Sequence, residues 1–185
     1  MGGRIYSVGH GARSLDDFVK VLASAKIATL VDVRSFPGSR RHPQFGKEAL
    51  AASLAERGVE YAWEPRLGGR RKRGPVPSPN PAWQVEAFRN YADHMDTEEF
   101  AAGLAALTGR AAKMPTAFMC AETHWSQCHR RILSDKLWAL RWEVVHLITP
   151  FKKELHHPPP FLRIESGARL RYDLPVDEDG QVRLF

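Results

Sequence analysis

Cysteine is scarce: Cys120 and Cys128, eight positions apart, are all that a chain of 185 residues contains. That excludes the disulfide framework of a small secreted scaffold. None is needed, because a core of this size buries roughly 70% of the surface that the unfolded chain exposes. Long apolar runs are missing too. The longest, around Val144–Ile148, is interrupted by His146 and falls well short of the ~20 residues that span a bilayer. The opening Met1-Gly2-Gly3-Arg4-Ile5 lacks the apolar stretch of a secretory signal. A reducing cytoplasm is the expected compartment. There is no internal repeat, dinucleotide fingerprint, phosphate-loop motif or serine nucleophile elbow, which disfavours the common nicotinamide, nucleoside-triphosphate and esterase chemistries.

What is present is positive charge. The formal net charge is +6, and between Arg34 and Arg73 ten Lys/Arg stand against four Glu, a surplus equal to the whole excess. The densest part is Arg66, Arg70, Arg71, Lys72 and Arg73, interleaved with Leu67-Gly68-Gly69 and followed by Gly74. Cations on a glycine-backed loop suit a polyanion, because they join charge to close backbone approach. The plainer reading is a solvated loop. Acidic residues gather at Asp93–Glu99, read as a helix start, and at Asp177-Glu178-Asp179, read as a turn.

Strand and helix patterns alternate. Arg4–Val8 reads as a short buried strand ending in Gly9-His10-Gly11. Ser14 to Asp17 opens a helix with a capping pattern, and Phe18, Val19 and Leu22 continue it at helical spacing. Ile27–Val33 is a second strand, Phe36 to Ser39 a turn, Lys47–Arg57 a helix stopped by Gly58, and Val59–Trp63 a third strand. Pro75, Pro77, Pro79 and Pro81 forbid a helix across Gly68–Pro81, a loop long enough to act as a lid. Helices are predicted over Trp83–Met95, Thr97–Leu107 and Cys128–Trp142, and strands over Thr116–Cys120 and Val144–Ile148. The pattern predicts a three-layer α/β domain over 1–150, a mainly parallel, Rossmann-like sheet with helices on both faces. Residues 151–185 read as a C-terminal extension with a hairpin, Phe161–Glu165 against Arg169–Asp173.

In such a sheet ligands bind beyond the carboxyl ends of the strands. There the sequence places His10, Asp32, Arg34, Cys120 and Glu122. The segment from Cys120 to Arg130 carries a strand end into a helix start. With Ser126 as its cap, Cys128 and His129 occupy the first turn, where free amides favour an anion or a thiolate. Arg130 adds a fork of donors for phosphate. Glu122 and His10 are candidate acid/base groups, and Cys128 a candidate nucleophile. Each has a plain alternative: an ion pair with Arg130 for Glu122, a buried inert thiol for Cys128, packing in the core for Cys120, a cap or an Arg34 pair for Asp32. Trp125 is free to stack on a base. Cys120, His124, Cys128 and His129 also offer four donors for zinc. A site using all four needs two adjacent helical residues to face one ion, so no cofactor is expected and zinc stands only as an alternative.

The motifs Ser7-Val8-Gly9-His10, Leu30 to Arg34 with Pro37 and Ser39, Leu67-Gly68-Gly69, and Cys120-x-Glu122 followed by Cys128-His129-Arg130 together resemble the Domain of Unknown Function 488 family, from about residue 5 to 148. The resemblance implies bacterial or archaeal relatives, some described as DNA-repair-like. By the resemblance, the family's recurrent polar positions map onto His10, Asp32, Arg34, Gly68, Gly69, Cys120, Glu122, Cys128, His129 and Arg130. Gly11 departs from the serine that many relatives carry there. The expected function is an enzyme acting on a phosphate-bearing substrate, a nucleotide or nucleic acid. Arg34, Gly68, Gly69, His129 and Arg130 would hold the anion, His10, Glu122 and Cys128 would carry the chemistry, and Asp32 and Cys120 would support them. The alternative is a non-catalytic nucleic-acid-binding module.

Overall fold

A computed structural model describes residues 2–38 and 41–173. Ser39 and the turn expected at Asp177-Glu178-Asp179 lie outside the described residues. The chain runs β1 (Arg4–Gly9), α1 (Leu15–Ala23), β2 (Thr29–Asp32), α2 (Lys47–Ala55), β3 (Glu60–Trp63), α3 (Glu86–His94), α4 (Glu98–Ala111), β4 (Thr116–Cys120), α5 (Arg130–Ala139), β5 (Glu143–Leu147), β6 (Lys153–Leu155), β7 (Leu162–Glu165) and β8 (Arg169–Tyr172). Local chemistry sets several of these starts. The Asp17 amide donates to Ser14 Oγ at 3.1 Å to open α1, and the Phe100 amide donates to Thr97 Oγ1 at 3.2 Å to open α4.

The sheet has the order β3-β2-β4-β1-β5-β6. Its first five members are parallel, and β6 is an antiparallel edge on β5. β2 and β4 are buried along their whole length, as expected of strands covered on both faces. Right-handed crossovers then put α1 and α2 on one face and α3 to α5 on the other. Phe18, Leu22, Leu50 and Leu54 pack on Val8, Leu30 and Met119 on the first face. Tyr91, Phe100, Leu107, Ile132 and Leu137 pack on Ile5, Val31 and Phe118 on the second. The chain leaves β1 and β2 toward one face and the intervening β4 toward the other, so a crevice opens above β4.

One expectation is corrected and another is met and extended. First, α5 begins at Arg130, while Trp125–Gln127 forms a separate 3-10 turn and Cys128 is extended, with φ −140° and ψ 165°. Cys128 itself acts as the cap: its sulfur accepts the Arg130 amide at 3.3 Å and its carbonyl accepts the Arg131 amide at 3.0 Å. Second, the C-terminal hairpin is present as expected, β7 against β8, and the tail does more besides. β6 extends the main sheet, and Leu170 and Tyr172 from β8 enter the core beside α5. Among the described residues no helix is long and apolar enough to cross a membrane.

Candidate functional site

The crevice is a cleft of about 520 Å³, within the size range of small-molecule sites. Its walls include Arg34 and Ser35 after β2, Gly69 and Arg70 from the basic loop, and Cys120, Glu122, Cys128 and His129 from the β4–α5 connection. Phe36 and Phe88 add apolar surface. Glu122 is exposed, and its carboxylate makes no hydrogen bond or ion pair with any described residue; the alternative of a pair with Arg130 is not met, because Arg130 Nη2 donates to the Glu122 carbonyl instead, at 2.6 Å.

The floor is sulfur. Cys120 ends β4 and Cys128 caps α5; they are 3% and 4% exposed, and their sulfurs are 2.8 Å apart without a disulfide. Burial opposes ionisation of Cys128. The Cys120 hydrogen bond, His129 and the Arg130 guanidinium outweigh it and hold this thiol well below its usual range. Burial, and then the neighbouring Cys128 sulfur, push Cys120 the other way. The two sulfurs share one short contact in which either can donate.

Arg130 does not reach the cleft. It is 1% exposed and gives its donors to protein: Nε to Cys128 Sγ at 3.2 Å, Nη1 to Ser7 Oγ at 3.4 Å, Nη2 to the carbonyls of Glu122 and Thr123. Its place is behind the sulfur, as the positive charge that compensates it. Gly9 permits this arrangement, because a Cβ there would stand 1.8 Å from the Glu122 carbonyl oxygen.

His10 is also behind the wall. It is 3% exposed, stacked on Phe45 at 4.3 Å, with Nδ1 bound to the Gly11 carbonyl at 2.8 Å and Nε2 receiving Arg34 Nη1 at 3.3 Å. Burial lowers its pKa to about 4, so it is a neutral acceptor that orients Arg34. Asp32, fully buried, takes the amide and Nε of Arg34, its Nη2 at 2.5 Å and the Tyr61 hydroxyl at 2.7 Å. Phe45 O takes the other Nη2 hydrogen. Of the five N–H donors of Arg34, one on Nη1 is left for the cleft.

The basic loop divides by partner. Arg66 is paired with Glu64 at 2.6 Å, and Arg71 spans Glu99, the Gly68 carbonyl and the Pro65 carbonyl. Among the described residues, Arg70 has a ring contact with Phe36 and no ion pair, and Lys72 and Arg73 have no partner. Gly68 lies against Ser35, and Gly69 lies against the His129 ring, where a Cβ would come within 2.5 Å of Nδ1. The proline segment is no free lid: Ser78 and buried Asn80 are tied to Asp93, and Asn80 Oδ1 takes the Tyr172 amide at 3.1 Å. Trp125 is occupied as well, stacked on His146 at 4.0 Å and donating to Glu154 at 3.1 Å.

One buried cluster escapes sequence reading. His146 on β5 meets His156 at 3.1 Å, His156 meets Asp135 on α5 at 2.8 Å, and the Tyr172 hydroxyl donates to Asp135 at 2.7 Å. The four residues come from four separate parts of the chain. Only the pairing of β6 with β5, which carries His156 back beside His146, brings them together.

Fold and site define a doubly wound α/β protein with a cysteine-floored cleft at its switch point. A family model, Domain of unknown function DUF488, matches residues 14–137, which include the Leu30–Arg34, Leu67–Gly69 and Cys120–Arg130 motifs. The chain belongs to this family. No curated protein and no solved structure matches it.

Proposed function

We propose that this chain is an enzyme acting on a phosphate-bearing substrate, a nucleotide or a nucleic-acid end, in the cleft above β4. The supporting observation is the meeting, in one cleft, of unpaired groups of both kinds. Among the described residues, Glu122 offers a carboxylate with no partner and Arg70 a guanidinium with no ion pair. The remaining Nη1 hydrogen of Arg34 points the same chemistry at an anion. Gly68 and Gly69 let the loop backbone approach closely, and Phe36 and Phe88 supply surface for a base. In this reading Glu122 moves protons and the Cys128 sulfur, with Cys120 and His129 beside it, is the other reacting element. His10, Asp32 and Arg130 are positioning residues.

A thermal-shift screen of wild type and Arg70→Ala against nucleotides, inorganic phosphate and short oligonucleotides tests this, since a ligand that binds only the folded state raises Tm by mass action. A nucleotide-dependent rise that shrinks in Arg70→Ala is expected. No response to any phosphate compound would refute the proposal. The unpaired Lys72 and Arg73 beside Arg70 favour one second reading, a nucleic-acid-binding module. It predicts oligonucleotide retention that falls with salt and needs all three cations, without turnover.

A further inference from the structure

We propose that Cys120 Sγ, Cys128 Sγ and His129 Nδ1 hold a zinc ion at the floor of the cleft, its fourth coordination position open toward the side that carries Glu122. The three donor groups lie within 4.8 Å of one another. Two are sulfurs 2.8 Å apart that share no covalent bond. The third is an imidazole without an oxygen or nitrogen partner among the described residues: its Nδ1 meets Cys128 Sγ at 3.9 Å, and its Nε2 is buried without a hydrogen bond. Two sulfurs and an imidazole are a soft to borderline set that selects zinc over magnesium or calcium.

The backbone removes the objection that adjacent residues on a helix cannot share an ion. Cys128 is extended and precedes α5, and His129 makes the transition into it, so their side chains converge on Cys120. The Gly69 backbone closes on the imidazole and fixes the ring on this side. The N–H donors that metal thiolates require in order to be oriented are already present, the amide and Nε of Arg130 on Cys128 Sγ. Sulfurs on one tetrahedral zinc stand about 3.8 Å apart at Zn–S bonds of about 2.3 Å, so the pair spreads by about 1 Å on binding. His124, the fourth donor by spacing, is exposed and outside the group.

Three protein ligands with an open fourth position form the pattern of a catalytic rather than a structural zinc site. The ion would bind water or a substrate oxygen there, with Glu122 as the carboxylate on the same wall. Cys128 then acts as a ligand rather than as a free thiolate. Metal analysis needs no substrate, so its outcome is separate from that of the phosphate reading.

The test uses the full chain without a histidine tag, purified under reducing conditions without chelator, and elemental analysis. About one zinc per chain is expected, with a loss of at least about tenfold in Cys128→Ser and His129→Ala and none in His124→Ala. Cobalt added to the reduced wild type should give thiolate-to-cobalt absorption in the near ultraviolet, a readout that stands even if a variant folds poorly. The proposal is overturned by wild type that holds no metal and develops no cobalt absorption. It is equally overturned by zinc retained undiminished in folded His129→Ala and Cys128→Ser, or by iron in zinc's place.

Discussion

Acid should weaken this fold through two neutral histidines well before its carboxylates are fully protonated. Burial holds His146 down to about 2, with His156 and Arg130 acting in the same direction, and holds His10 down to about 4, against an ordinary value of 6.5. Both rings are nearly inaccessible, at 1% and 3% exposure. A base whose folded pKa is depressed stays neutral in the native state while the unfolded chain takes up the proton. Stability is therefore fully present above about pH 6.5 and is lost as pH falls, down to about 4 for His10 and about 2 for His146. At about pH 4.5 each ring forfeits up to about 2.7 kcal/mol, together about 5 kcal/mol at most. Asp135 returns part of this, because burial raises its carboxyl and the native state accepts that proton early. A loss of even half the ceiling is large against a total stability of about 5–15 kcal/mol. Urea titrations followed by circular dichroism from about pH 7 to 4.5 read the slope, about 1.4 kcal/mol per pH unit for each proton. His146→Gln and His10→Gln should each remove about one proton's worth of slope, which separates their contribution from any acid-sensitive ligand. Stability that is flat across the interval, or a slope unchanged in both variants, would refute the reasoning.

Other perturbations follow from the same contacts. Asp32→Asn leaves Arg34, 7% exposed, as a buried cation without its counter-charge, and a cost of about 3–5 kcal/mol is expected in urea unfolding. Gly9→Ala drives a Cβ into the Glu122 carbonyl at 1.8 Å; because backbone must move, the variant should be expressed without a cooperative melt, and a wild-type Tm would contradict the packing described. Arg71→Ala frees the Gly68 and Pro65 carbonyls and Glu99, costing about 1–3 kcal/mol. The neighbouring Lys72→Ala should stay within about 0.5 kcal/mol; equal effects at the two positions would show that the loop is not clamped as described.

Local pattern alone determined a good part of this protein. Alternating runs and their breakers foretold five parallel strands between helices, with Thr116–Cys120 delimited residue for residue. Ser14 marked a helix start because capping depends on neighbours three residues away. The placement of Asp32, Arg34, Cys120 and Glu122 at strand ends followed from the architecture. Which of these groups stay available was decided only in the folded chain. Arg130 and His10 carry the same chemistry by sequence as Arg70 and Glu122, yet burial obliges them to find partners, among them Ser7 for Arg130 and Arg34 for His10, which are distant along the chain. Charge divides the same way: Arg66 and Arg71 are consumed by Glu64 and Glu99, while Arg70 keeps its charge for solvent or ligand. Cys128 and His129 face Cys120 because the helix starts two residues later than expected, at Arg130 instead of Cys128, with its cap on the Cys128 sulfur instead of the Ser126 hydroxyl. A short-range period records which face a residue takes. The desolvation that makes a donor spent or free is a property of everything packed around it, and that is set by tertiary structure.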